Sequence, residues 1–144
     1  MKKLNVILVY NKEEDKILMC KREKEPYKGK FNLVGGKVEQ NEDELHAAYR
    51  ELEEETGITN QDIILTHIMN LQYKMSDIEL EVYAGKLNKD KILVEEINKL
   101  YWIDKSENFF DIDKFAGEGN IGHMVKQVEI YKKELFKGVK YTEK

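Results

Sequence analysis

Three glutamates on one short segment have the chemistry and the spacing to bind a divalent metal. Glu51, Glu54 and Glu55 stand at positions i, i+3 and i+4. A helix advances about 100° per residue, so these carboxylates would share an arc of about 100° while Glu53 faces away. Like charges at this spacing repel each other, and a hard cation with oxygen ligands reverses that repulsion. The spacing predicts a Mg²⁺ site, whereas composition alone would favour a solvated, charged helix face.

The segment that carries these glutamates has the signals of a helix over residues 42–56. Asn41 is a good N-cap residue, and Glu44, three residues further on, can close a capping box. Gly57 stands where helices commonly end on a left-handed residue. The apolar side chains beside the carboxylates on the helical wheel predict the face that packs on a sheet: Leu45, Ala48, Tyr49 and Leu52. The carboxylates are therefore expected at the border of the buried face.

The remaining periodicity predicts an α/β protein. Strands are predicted at residues 4–10, 16–21, 31–34, 63–71, 78–87 and 100–103. In the fifth of these strands, alternation predicts one buried face and one polar face, with Glu79, Glu81 and Tyr83 on the polar face. A second amphipathic helix is predicted at residues 121–136. Strands on both sides of an early helix, followed by a late helix, predict an α/β sandwich around a mixed sheet.

Composition limits the class of protein further. A chain of 144 residues with 41% hydrophobic residues predicts one globular domain over residues 1–144. The net charge of −4 offers no basic field for nucleic-acid binding. Cys20 is the single cysteine, and its apolar surroundings predict a buried structural residue in a reducing compartment. The apolar run at residues 6–10 is too short for a signal peptide or a membrane span, which predicts a cytoplasmic protein. Phe109 and Phe110, expected to be exposed, are compatible with a monomer or a homodimer.

A fixed pattern surrounds the glutamates. A glycine is followed after five residues by a glutamate, and after seven more by Arg-Glu-Leu-Glu-Glu-Glu-Thr-Gly-Ile. The pattern is similar to the Nudix box at every fixed position, and the matching residues are Gly36, Glu42, Arg50, Glu51, Leu52, Glu54, Glu55, Gly57 and Ile58. The chain therefore resembles the Nudix hydrolases, and among them most closely the MutT-like nucleoside triphosphate pyrophosphohydrolases. The resemblance implies a Nudix-type α/β/α sandwich with a central mixed β-sheet and a loop-helix catalytic motif.

The resemblance also implies metal ligands and a catalytic base. Glu51, Glu54 and Glu55 correspond to the carboxylates that bind Mg²⁺ or Mn²⁺ and supply the base, and the Gly35 carbonyl corresponds to an additional ligand. Among them, Glu51 can accept the proton of the attacking water. A further metal-side glutamate is expected from the acidic loop before the tryptophan strand. Glu96 is chosen there on spacing, and a solvated loop charge is the alternative.

Arg50 has two interpretations. Its guanidinium can orient one carboxylate of the cluster, which would make it part of the catalytic machinery. It can also be an exposed i, i+4 partner of Glu54. The resemblance assigns Arg50 and Glu42 to the support of the loop-helix geometry.

The sequence also offers candidates for contact with the substrate. Lys21 and Arg22, at the end of the second strand, are candidate phosphate contacts or ordinary surface cations. Gly36 permits close approach of the backbone to a substrate. Asn120 precedes the last helix, where MutT-like enzymes place an amide that reads a purine edge, and it could equally be the N-cap of that helix.

The leading hypothesis is hydrolysis of a nucleoside triphosphate, oxidised or not, to a nucleoside monophosphate and pyrophosphate. Many family members have Trp-x-x-Pro before the glycine pair, and this chain has Phe31-Asn32-Leu33-Val34 instead. ADP-ribose-specific members carry a proline after the box, and the only proline here is Pro26, which argues against that substrate. The alternatives are a hydrolase of dinucleoside polyphosphates or RNA 5′ ends, and a nucleotide-sensing module without turnover. The complete glutamate set argues against the module, and the lack of a basic surface argues against RNA.

Overall fold

The computed structural model describes residues 1–141, which form six strands, two α-helices and one short 3₁₀ helix. The strands are β1 (Lys2–Tyr10), β2 (Lys16–Lys21), β3 (Phe31–Leu33), β4 (Thr66–Tyr73), β5 (Ile78–Lys86) and β6 (Leu100–Asp104). The helices are α1 (Glu44–Thr56) and α2 (Asn120–Leu135), and the 3₁₀ helix (Lys74–Ser76) joins β4 to β5. In this part of the chain, no helix is long and apolar enough to cross a membrane.

The strands form one mixed sheet in the order β3-β2-β1-β5-β4, and β6 also pairs with β2. β1 and β5 run parallel over their whole length. The other pairs are antiparallel. Because β1 is buried between its neighbours, its second half is a continuous apolar run, as expected for a central strand with both faces covered.

β1 separates from β2 along most of its length, and this separation makes room for the glycine pair. The two strands are in register only at Tyr10, opposite Ile17. The rest of that edge of β1 bonds instead to residues 34–38. The Ile7 N–H donates to the Val34 carbonyl at 2.8 Å, for example. The chain after β3 is therefore fastened to β1 just before it enters α1.

Each face of the sheet is covered by one helix. One buried cluster includes residues from α1 and from alternate positions of β1: Ile7, Val9, Leu18, Ala48, Leu52, Ile58 and Tyr83, among others. The cluster on the other face includes residues from α2: Leu8, Tyr10, Phe115, Ile121, Met124, Val125 and Val128, among others. The side chains of a strand alternate between faces, so the same strand contributes to both clusters. This arrangement confirms the predicted α/β/α sandwich with a central mixed sheet.

The start of α1 differs from the prediction. Asp43 is the N-cap, and its Oδ2 accepts the N–H of His46 at 3.0 Å. Asn41 lies before the helix with a left-handed φ of 65°, so its prediction as the N-cap is wrong. Leu45 is 43% exposed rather than packed, because the buried stripe of α1 begins only at Ala47. Gly57 ends the helix with a φ of 80°, as predicted.

β5 is buried on both faces from residue 81 onward, so the predicted polar face is wrong. Glu81 is 0% exposed and Tyr83 is 2% exposed. The reason is that α1 and its preceding loop cover this face of the sheet. β4 begins at Thr66 rather than at Ile63, which forms an isolated bridge with Leu87.

Two single-residue predictions have opposite outcomes. Cys20 is buried, as expected, and burial raises the pKa of its thiol to about 11. Phe109 is 3% exposed, so the prediction of an exposed aromatic is wrong there, whereas Phe110 is 49% exposed. The Phe109 ring packs on Phe115 with ring centres 4.9 Å apart, which draws it into the core beneath α2.

Candidate active site

Gly35 and Gly36, which we call the diglycine segment, lie between β1 and α1 with no room for side chains. The Asn5 N–H donates to the Gly36 carbonyl at 2.7 Å, and Asn5 Oδ1 accepts the Gly36 N–H at 2.9 Å. Gly35 has a φ of 146°, and a Cβ there would overlap the Asn5 carbonyl. A Cβ on Gly36 would overlap Glu51 Oε2. Glycine at residue 35 lets the backbone lie this close to β1, and a side chain at residue 36 would displace the Glu51 carboxylate.

Two carboxylates of α1 meet the diglycine segment. Glu55 accepts the Gly35 N–H at 3.1 Å, and Glu51 lies against Gly36. Burial raises the pKa of Glu55 to about 7, and the neighbouring carboxylates act in the same direction. Burial also raises the pKa of Glu51. Both carboxylates are costly to ionise where they lie, so positive charge placed beside them would be strongly stabilising.

Arg50 joins the loop before α1 to the carboxylates. Its Nε donates to Glu42 Oε2 at 2.7 Å, and its Nη2 donates to Glu42 Oε1 at 2.9 Å. Nη2 also donates to the Lys37 carbonyl at 3.0 Å. Its Nη1 donates to Glu51 Oε1 at 3.0 Å and to Glu54 Oε1 at 2.8 Å. The guanidinium lowers the pKa of Glu42 to about 2. Arg50 is thus in contact with Glu51, and it also makes the i, i+4 pair with Glu54.

The donor set fits a hard divalent cation by its chemistry, although the glutamates are partly engaged by Arg50. Among residues 1–141, no three His, Cys, Asp or Glu side chains converge closely enough as they stand to hold a metal ion. Glu54 in particular is turned to the guanidinium. The Gly35 carbonyl is an oxygen donor of the diglycine segment, and Glu51 and Glu55 lie against that segment. Oxygen donors of this kind suit Mg²⁺ or Mn²⁺. The predicted ligands stay Glu51, Glu54, Glu55 and the Gly35 carbonyl.

Glu96 lies in the exposed loop between β5 and β6. That loop is fastened to the C-terminal end of α1, because the Val94 N–H donates to the Thr56 carbonyl at 2.9 Å. Glu95 accepts the Leu100 N–H at 2.8 Å and so stabilises the start of β6. Because Glu95 is engaged in this way, Glu96 stays the prediction for the further metal-side glutamate.

Lys21 and Arg22 follow one another at the end of β2 but lie in different surroundings. The Lys21 ammonium is 5.6 Å from the centre of the Phe31 ring. The Arg22 Nε donates to the Pro26 carbonyl at 3.2 Å. Arg22 is also near enough to Glu55 that its charge opposes the burial that raises the pKa of that carboxyl. The structure therefore places Arg22 near the Glu55 carboxylate, and Lys21 near the Phe31 ring.

Asn120 is the first residue of α2, and Gly119 is the N-cap, so the N-cap interpretation of Asn120 is wrong. The side-chain Nδ2 instead donates to Tyr73 Oη at 2.5 Å. An asparagine amide carries two N–H groups and an oxygen, which is the combination that recognition of a purine edge requires. The bond to Tyr73 fixes the orientation of that amide.

Two residues that sequence reasoning missed lie next to Asn120 and Tyr73. Burial raises the pKa of Tyr27 to about 12, and the Glu118 carboxylate beside it acts in the same direction. Tyr27, Tyr73, Glu118 and Asn120 are called the tyrosine patch below. Tyr27, Tyr73 and the pair of Glu118 and Asn120 are far apart in sequence. The one local signal was the Gly-Glu-Gly run at residues 117–119, where all three residues have positive φ.

The sequence profile of the NUDIX domain matches residues 1–116, which include all six strands and α1. The chain belongs to the Nudix family. It carries the domain of the Nudix hydrolases, which act on nucleoside diphosphates linked to another group. Nudix hydrolases generally use divalent metals such as Mg²⁺ or Mn²⁺, which agrees with the oxygen donors around the diglycine segment.

Known Nudix proteins resemble this chain in sequence or in fold. The ADP-ribose pyrophosphatase of Methanocaldococcus jannaschii is 48% identical over 46 residues, which are 32% of this chain and only 27% of that relative. The Ap4A hydrolase of C. elegans, in a binary complex, superposes with a TM-score of 0.73 at 20% identity, covering 91% of this chain and 98% of that one. One MutT structure, from a comparison of Aliivibrio salmonicida and Vibrio cholerae MutT, superposes with a TM-score of 0.65 at 22% identity. It covers 88% of this chain and 95% of that one. At these identities the structural likeness shows the Nudix fold alone.

Proposed function

We propose that this Nudix protein hydrolyses a nucleoside triphosphate, oxidised or not, to a nucleoside monophosphate and pyrophosphate, with one domain over residues 1–144. The observation that carries the proposal is the meeting of Glu51 and Glu55 at the diglycine segment, where Arg50 also binds Glu51. Positive charge is needed there, and a metal with its phosphate substrate supplies it.

The roles of the residues follow from which atoms are already engaged. When bound by the glutamates, a divalent cation would supply positive charge against the phosphate oxygens and would promote ionisation of a water. Glu51 Oε1 accepts a hydrogen bond from Arg50, whereas Oε2 faces Gly36. Oε2 is therefore the atom proposed to accept the proton of the attacking water. Arg50 orients this carboxylate, and its two bonds to Glu42 hold the guanidinium in place.

The substrate side of the proposal rests on the cations of β2 and on the tyrosine patch. Arg22, near Glu55, and the adjacent Lys21 are proposed to contact the triphosphate. Gly36 lets the phosphates approach the backbone. The Asn120 amide, oriented by Tyr73, is proposed to read the edge of the base. These roles are supported by position and by the resemblance of the chain to MutT-like enzymes.

A product-release assay tests the proposed function. The wild-type protein with Mg²⁺ or Mn²⁺ is given ribo- and deoxyribonucleoside triphosphates, 8-oxo-dGTP, a diadenosine polyphosphate and ADP-ribose, and pyrophosphate and phosphate are measured separately. The expected result is one pyrophosphate per nucleoside monophosphate, loss of turnover with EDTA and recovery with Mg²⁺. Release of phosphate with a nucleoside diphosphate, or turnover of the diadenosine polyphosphate and ADP-ribose alone, would overturn the proposal.

A further inference from the structure

Asn5 is a polar residue in the otherwise apolar part of β1, and it determines where the diglycine segment lies. It is 2% exposed. Its backbone N–H and its side-chain oxygen bind the carbonyl and the N–H of Gly36, respectively. Gly36 in turn lies against Glu51 Oε2, where even a methyl group would overlap. The position of Asn5 therefore sets the distance between the diglycine segment and the Glu51 carboxylate.

A second buried polar residue lies beside Asn5 on the neighbouring strand. Glu81 of β5 is directly opposite Asn5 in the parallel register and is 0% exposed. The Lys3 ammonium is 3.9 Å from Glu81 Oε2 but binds Glu44 of α1 at 2.6 Å. Burial raises the pKa of Glu81 to about 7, and the nearby Glu44 carboxylate also raises it. Lys3 is thus bound chiefly to Glu44, and it reaches Glu81 only at the longer distance.

The unused hydrogen-bonding groups of Asn5 and Glu81 are complementary. Within residues 1–141, Asn5 Nδ2 has no acceptor, and neither carboxylate oxygen of Glu81 has a donor of good geometry, although the Glu44 carboxyl and the Tyr83 hydroxyl lie beside it. The orientation of the amide is fixed, because the Gly36 N–H needs the oxygen as its acceptor. Adjacent strands are about 4.8 Å apart, so side chains in register on one face are within reach of each other. Buried polar groups in native proteins are nearly always paired.

We propose that Asn5 Nδ2 donates to the Glu81 carboxylate, and that this buried pair positions the diglycine segment for the metal site. Asn5 and Glu81 are then positioning residues, which act on the reaction through Gly36 and the Gly35 carbonyl. The inference rests on the proposed hydrolase function. It adds to the site a second strand, β5, whose glutamate no motif marks.

An exchange of the two side chains tests the pair. Asn5→Asp keeps an acceptor for the Gly36 N–H but places a second carboxylate against Glu81, so the two carboxylates repel each other. The double variant, which combines Asn5→Asp with Glu81→Gln, restores one carboxylate and one amide, with the positions exchanged. In that variant the new amide on β5 donates to the new carboxylate on β1, and that carboxylate still accepts the Gly36 N–H.

Three quantities are measured for the wild type, N5D and the double variant: the hydrogen-exchange rate of the Gly36 amide, the Mn²⁺ affinity without substrate, and kcat with KM. N5D is expected to speed exchange of the Gly36 amide and to weaken Mn²⁺ binding and lower kcat by about 10- to 100-fold, with KM little changed. The double variant is expected to recover to within about threefold of the wild type, because the two residues are coupled. Asn60→Asp adds the same charge on an exposed turn and is the matched control.

The inference is overturned if N5D behaves as the wild type in all three measurements, or if the double variant is no better than N5D. Should N5D alone fail to fold, recovery of folding in the double variant is the expected rescue, and a double variant that is also unfolded contradicts the pairing. The Gly36 amide and the Mn²⁺ affinity need no turnover. A wild type that hydrolyses no triphosphate would therefore overturn the proposed function and leave these two readouts to decide the pair.

Discussion

Two regions of the molecule are built in opposite ways. One is the tyrosine patch, and the other is the diglycine segment with the charged side chains around it, which we call the diglycine site. At the diglycine site the active groups come from one helix and the loop before it, and Arg50 fastens them with charged hydrogen bonds to Glu42, Glu51 and Glu54. The tyrosine patch brings together residues from the loop after β2, the end of β4 and the start of α2, and the bond between Asn120 and Tyr73 joins two neutral groups. The first region is local in sequence and charged, and the second is dispersed and largely uncharged.

This difference suggests a division of labour between the two regions. Charged, rigidly held groups suit the transfer chemistry, which is the same for every nucleotide. A dispersed set of neutral hydrogen-bonding and aromatic groups suits recognition of a base, which differs between nucleotides. Changes at the first region should then alter turnover of all substrates alike, and changes at the second should alter the choice among them.

The largest effect is expected from Glu51→Gln. The variant keeps the shape of the side chain but cannot accept the water proton, so kcat should fall by about 10²- to 10⁴-fold while the melting temperature is kept. Glu53→Gln is the matched control, because Glu53 is exposed on the same helix. Unchanged turnover in E51Q, measured by pyrophosphate release, would remove the proposed base.

Arg50→Lys should have the next largest effect. Lysine keeps the charge but loses the planar fork that binds both oxygens of Glu42 and reaches Glu51 at the same time. We expect kcat to fall by about 10- to 100-fold and Mn²⁺ binding to weaken, as for other groups that orient metal ligands. Lys37→Arg is the control, because the Lys37 side chain is exposed in the loop before α1. Wild-type kinetics in R50K would show that the bonds of Arg50 to Glu42 and Glu51 are not needed.

The helix of the first region could be predicted from the sequence because its signals are local. The i, i+3 and i+4 spacing of glutamates on α1 and the left-handed Gly57 are both properties of consecutive residues. Asn41 failed as the N-cap because Asp43 competes for the same role two positions later. Glu81 was placed on a polar face because alternation along a strand cannot show that α1 covers that face.

The second region was largely beyond prediction from the sequence. Tyr27 and Glu118 are brought together only by the path of the chain over the sheet. Asn120 was singled out, but its bond to Tyr73 joins residues that are 47 positions apart.

Asn5, at the diglycine segment, gave a signal that could have been used, since it is a lone polar residue in the apolar run of β1. Contacts of this kind depend on tertiary packing, which no single-segment pattern encodes.

Asn120→Leu should have a smaller effect, confined to substrate choice. Loss of one neutral hydrogen bond costs about 1 kcal/mol, which corresponds to about fivefold in kcat/KM for the preferred nucleotide. Tyr73→Phe removes the hydroxyl that orients the amide and should shift the preference in the same direction by less. Steady-state kinetics on the nucleotide panel measure both. Equal losses for every nucleotide would contradict a role in reading the base.

The smallest effect concerns stability and its dependence on pH. Because Arg50 holds the pKa of Glu42 at about 2 instead of the ordinary 4.5, the carboxylate stabilises the fold above pH 4.5. That stabilisation is lost as the pH falls through about 2. The difference in free energy of unfolding between the wild type and Glu42→Gln should therefore be largest near neutral pH and shrink between pH 4.5 and 2. Urea titrations at several pH values measure this difference in free energy. A difference independent of pH would contradict a stabilising ion pair between Arg50 and Glu42.

The most direct test of the division of labour is the ratio of kcat/KM for purine to pyrimidine nucleoside triphosphates, measured by pyrophosphate release in the wild type, R50K and N120L. The account predicts that R50K lowers both values by the same factor and leaves the ratio unchanged, whereas N120L changes the ratio. A ratio that shifts in R50K and stays constant in N120L would contradict it.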